Sequence, residues 1–154
     1  MKTRSILLTL ALCLVGIGVA FADDANMGIW KLNEAKSKFA SGAAKNSTVV
    51  YEAAGGDVKV TVDGADKDGK ATHNEWTGKF DGKDYPVSGD PNTDARSYER
   101  INDRTLKLTA KKDGKVVTTG EIVVSADGKT RTVKTTSTDS TGKKLKSTAV
   151  YDKQ

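Results

Sequence analysis

The chain has 154 residues, 36% of them hydrophobic, with 25 basic against 20 acidic side chains and a net charge of +5. That length suits one domain, and so mild a charge favours solubility without marking a nucleic-acid partner. The one cysteine, Cys13, lies in the N-terminal apolar run, so the rest of the chain has neither a disulfide framework nor a Cys/His zinc site.

Residues 1–22 read as a secretory signal peptide. Lys2 and Arg4 form its positive start, residues 6–20 are apolar apart from Thr and Gly, and Ala20-Phe21-Ala22 offers small residues to a signal peptidase. The run is short against the roughly 20 residues that cross about 30 Å of hydrocarbon, so cleavage after Ala22 is expected rather than anchoring. Leu12, directly before Cys13, is not the small residue that a lipoprotein signal requires, so no stable membrane anchor is expected. What remains is one domain, 23–154, free of cysteine and placed in the periplasm or outside the cell, as a monomer.

From there the chain is punctuated by turns. Asp-Gly occurs at 63–64, 68–69, 81–82, 113–114 and 127–128, with Gly55-Gly56 and Thr141-Gly142 besides. Asp-Gly takes the positive φ angles of tight hairpin turns. One turn of helix is expected after Asn33, which can cap it. Between the turns the period is two: Val58, Val60 and Val62 alternate with Lys59, Thr61 and Asp63, and Leu106, Leu108 and Ala110 with Lys107, Thr109 and Lys111. Leu145, Ala149 and Tyr151 likewise share one face. Strands are predicted near 28–33, 47–54, 57–63, 70–80, 83–88, 95–102, 104–111, 115–125, 129–138 and 144–152. So many antiparallel strands joined by short turns twist and close, which predicts an all-β, up-and-down barrel of about 8–10 strands, with a β-sandwich as the alternative.

The start Gly28-Ile29-Trp30-Lys31-Leu32 and the end Val150-Tyr151-Asp152-Lys153-Gln154 resemble the two ends of calycin barrels, the lipocalins and fatty-acid-binding proteins. The domain also resembles an uncharacterised family of small secreted bacterial proteins with the pattern GxWKLNxxKSKF, DGKDYPV, VSADGKT and VYDKQ, here at 28–39, 81–87, 124–130 and 150–154. The resemblance implies a barrel able to hold a small apolar ligand. Two departures stand against fatty acid in particular. Residues 31–47 are too short for the helical lid of that branch, and the position two before Tyr151, where the branch carries a carboxylate-binding Arg, is Ala149.

Trp76, Gly78 and Phe80 share a strand face, and Trp76, Phe80, Tyr98 and Tyr151 are the candidate ligand-lining residues, with core filling as the competing role. The loop 88–94, the longest irregular stretch expected, is the candidate rim. No catalytic constellation appears around His73, the only histidine, so the chain is read as a non-enzyme without a cofactor; the pair His73 and Glu75 is read as surface. Asp66, Asp68, Gly69 and Glu75 nearly fit a calcium loop, but Gly64 occupies its first position and strands flank it, so an acidic turn is expected and no metal. Residues 129–146, with Lys129, Arg131, Lys134, Lys143, Lys144 and Lys146, contain no aromatic on which a nucleic-acid base could stack and read as a solvated basic hairpin. A ligand-free structural or interaction protein of the cell envelope is the alternative function.

Overall fold

The computed structural model describes residues 24–154; the signal peptide assigned to 1–22 lies outside them. Ten antiparallel strands close into one barrel: β1 Gly28–Leu32, β2 Lys45–Ala54, β3 Asp57–Ala65, β4 Ala71–Gly78, β5 Tyr85–Ser88, β6 Ala95–Asn102, β7 Thr105–Lys112, β8 Lys115–Val124, β9 Thr130–Thr138 and β10 Lys144–Lys153. Each strand pairs with its sequence neighbours, and β1 pairs with β10 to close the wall. Closure wins over the sandwich because it leaves no unpaired edge.

The turns alternate between two ends. The lower end holds the start of β1 and the turns at 55–56, 79–84, 103–104 and 125–129; the upper end holds 33–44, 66–70, 89–94, 113–114 and 139–143. Between β1 and β2, the only helical element among the described residues is a single 3₁₀ turn, Glu34–Lys36, capped by the Asn33 side chain, which accepts from the Lys36 N–H at 3.2 Å. The longest irregular connection follows it at 37–44, rather than at 88–94 as the sequence implied.

One predicted boundary moves for a visible reason. The strand expected at 70–80 stops at Gly78, because Asp81 bends the chain by accepting from the Lys83 N–H at 3.1 Å and the Tyr85 hydroxyl at 2.9 Å. Tyr85 then lies across Gly78, where any Cβ would sit 2.5 Å from its ring.

Trp30 closes the lower end. Its indole is fully buried and donates to the Asn26 carbonyl at 2.8 Å, and Gly28 makes the underpass with φ +109°. The segment beneath is tied by an ion pair between Asp24 and Arg100. Inside, Val49, Val58, Val60, Val62, Leu106, Ile122 and Val124 form the apolar core with the aromatic rings.

Candidate functional site

Strand register fixes what lines the interior. Across β8, β9 and β10 four rows run from bottom to top: Val124–Arg131–Tyr151, Ile122–Val133–Ala149, Gly120–Thr135–Ser147 and Thr118–Ser137–Leu145. Their character changes along the axis. The lower two rows are apolar except for Arg131, and the upper two consist of short or hydroxylated side chains with one leucine. Thr118, Thr135, Ser137, Leu145 and Ser147 are all half-buried, although their strand parity turns them inward. Solvent therefore reaches the upper interior.

The lower half is filled by rings. Trp76 packs edge-on against Tyr98 with ring centres 4.8 Å apart, and parallel to Phe80 at 6.4 Å. Phe80 also meets Tyr98 at 5.8 Å, so three of the four predicted lining residues form one cluster. The indole is anchored as well: the Trp76 N–H donates to the Arg96 carbonyl at 2.8 Å. Tyr151 stands apart from those three. It belongs to a neighbouring group that period and composition did not single out, centred on Arg131.

Arg131 is 2% exposed, and its guanidinium lies 4.8 Å from the ring centre of Tyr151, 5.0 Å from Tyr51 and 5.2 Å from Trp30. These are cation–π distances. Its Nε and Nη1 are buried without a hydrogen-bond partner. Tyr51 links the two groups, since it also stands 6.2 Å from Tyr98 and 6.3 Å from Phe80. Burial pushes the phenol of Tyr51 well up from its ordinary value, with Tyr98 adding and Arg131 opposing; burial raises Tyr151 too, against the same cation.

The basic hairpin expected at 129–146 is thus corrected at one residue. Lys129, Lys134, Lys143, Lys144 and Lys146 are exposed, but Arg131 shares the inner face with Val133. The signal was in the alternation Arg131-x-Val133-x-Thr135-x-Ser137, which sets Arg131 on the side of Ile122 and Ala149.

A second buried arginine shows what satisfaction looks like. Arg96, 8% exposed, donates to the Asn74 side-chain oxygen at 3.1 Å and lies 3.9 Å from the Asp90 carboxylate. Asp90 in turn accepts from the Thr93 hydroxyl at 2.7 Å within the loop 89–94, and its contact with Arg96 ties that loop to the barrel rim.

The remaining candidates sit on the outer wall. His73 is exposed beside Asp63 at 2.7 Å and Glu75 at 3.9 Å. Glu75 pairs with Lys59 at 2.7 Å, and the hydrogen bond from that lysine lowers its carboxyl pKa. In the nearby turn, Asp66 accepts from the backbone of Asp68 and Lys70, and Asp68 is taken by Lys67. The carboxylates of the near-calcium loop are therefore spent on separate local partners, and no group of three or more His, Cys, Asp or Glu among the described residues is placed to hold a metal.

No family model and no curated protein matches the chain. Among solved structures, a redesigned beta barrel, mFAP1, bound to DFHBI, aligns over 85% of this chain and 99% of its own length at 17% identity and a TM-score of 0.47.

Proposed function

We propose that this barrel is a binding module that receives a small apolar molecule through its upper end, with Trp76, Phe80, Tyr98 and Tyr151 forming the floor and wall against which the ligand rests. The observation that carries the reading is the change of side-chain size along the barrel axis. About eight strands already give an interior that side chains just fill, and diameter grows with strand number. Here ten strands close, and the upper interior is lined by the short side chains of Ala110, Thr118, Gly120, Thr135, Ser137 and Ser147. The rings of the lower half suit an apolar guest. With the leader assigned to 1–22, the site of action is the periplasm or the exterior, and the module works as a monomer.

The close packing of Trp76 on Tyr98 and Phe80 favours a second reading, a ligand-free structural or interaction protein of the envelope. The two readings separate on mass spectrometry of the organic extract of protein purified from its native periplasm. A stoichiometric small molecule supports the binding module. An empty extract, together with no fluorescence gain from N-phenyl-1-naphthylamine, a neutral apolar probe, supports the packed barrel. N-terminal sequencing of the same sample tests export: the mature chain is expected to begin at Asp23, and a chain that still begins at Met1 would contradict cleavage.

A further inference from the structure

We infer that Arg131 is an anion anchor inside the barrel, and that the guest is an apolar body carrying one oxyanion head. This deepens the ligand-binding reading and rests on it. Three observations lead there. The guanidinium is 2% exposed, at the inner face of β9. None of the ion pairs among the described residues includes it, and its Nε and Nη1 have no acceptor. The groups at its flanks are aromatic rings: Trp30, Tyr51 and Tyr151.

Those rings favour the cation through their faces but accept no conventional hydrogen bond in the guanidinium plane. Nε and Nη1 thus keep no acceptor, and each pair of N–H groups that takes a carboxylate or phosphate in a fork includes one of them. A buried donor without an acceptor is expensive, and a buried charge without a counter-ion more so. Arg96, elsewhere on the inner wall, has an amide oxygen and a carboxylate nearby; Arg131 has neither. An oxyanion delivered by a ligand supplies both the acceptor and the counter-charge. The apolar rest of that ligand then extends upward past Ala149 and Val133 toward Thr135 and Ser147.

The test uses two probes with one body, 8-anilinonaphthalene-1-sulfonate and the neutral N-phenyl-1-naphthylamine, titrated into the full mature protein. The sulfonate is expected to bind about tenfold to a hundredfold more tightly, as one charge-assisted hydrogen bond or more would give. Arg131→Met should bring the sulfonate's affinity to that of the neutral probe for the same variant, and Arg131→Lys should keep part of the preference. The nitrogen-15 resonance of the Arg131 side chain in the unmodified protein should move with the sulfonate and not with the neutral probe, a readout that does not depend on any variant folding. Displacement by dodecanoate or by dodecyl phosphate then tells a carboxylate source from a phosphate source. If the neutral probe binds and the sulfonate gains nothing from Arg131, or the resonance stays put, the anchor is refuted and the binding module stands. If neither probe binds, both fall.

Discussion

Two arginines are buried among the described residues of this barrel, and they differ in what meets them. Arg96 stands near the upper rim, hydrogen-bonded to Asn74 and close to Asp90, so its charge joins a network that holds the loop 89–94. Arg131 stands near the floor among three rings, with two nitrogens unanswered. The first arrangement is a structural one, since its partners come from the chain. The second resembles half of an interaction. Similar burial thus conceals unequal satisfaction, and it is satisfaction that separates a fold residue from a site residue.

The comparison can be broken first at the packing that surrounds both arginines. Trp76→Ala removes the ring that touches Phe80, Tyr85 and Tyr98, and the indole N–H held by the Arg96 carbonyl. A loss of about 3–5 kcal/mol in urea unfolding is expected, as for other buried aromatic truncations. A loss below about 1 kcal/mol would mean that the ring cluster is not the core of the lower barrel.

Arg96→Met comes next. It leaves the Asn74 oxygen buried without its donor and the rim loop without its cation, for an expected cost of about 2 kcal/mol. Amide exchange should quicken over 89–94 and not over the lower turns. A uniform change would remove the assignment of Arg96 to the rim.

Alkaline pH gives the smallest effect. Burial raises the phenol pKa of Tyr51 and Tyr151 in the folded chain above the ordinary 10.0, so the unfolded chain ionises first. Their contribution is intact below about pH 10 and drains as pH rises beyond it, at about 1 kcal/mol per buried phenol by about pH 11. Tyr51→Phe should flatten that decline in the urea midpoint between about pH 9 and 11. An unchanged slope would place the Tyr51 hydroxyl in water.

Most of the wall was legible in the sequence, because period two and Asp-Gly turns act locally. Val58, Val60 and Val62 alternate as the hydropathy requires, and all three are buried. Trp30, which closes the lower end, belongs to the Gly28-Ile29-Trp30 start that carries the resemblance to calycin barrels. The half of the site around Arg131 was harder to see, for a physical reason. Its neighbours Tyr51, Trp30 and Tyr151 come from three other strands, and only closure of β1 on β10 brings them around one guanidinium. Composition, with five exposed lysines in the same stretch, pointed outward. Strand parity pointed inward, and parity decided.

The most direct test of the account is the equilibrium stability of Arg131→Met in ligand-free protein. Replacing an unanswered buried charge with an apolar side chain of similar length removes a desolvation cost and forfeits only ring contacts, so the variant should be as stable as the parent or up to about 2 kcal/mol more so. A loss of about 3 kcal/mol or more, the cost of breaking a buried pair, would show that Arg131 holds the barrel together, as Arg96 does, and is not kept for a guest.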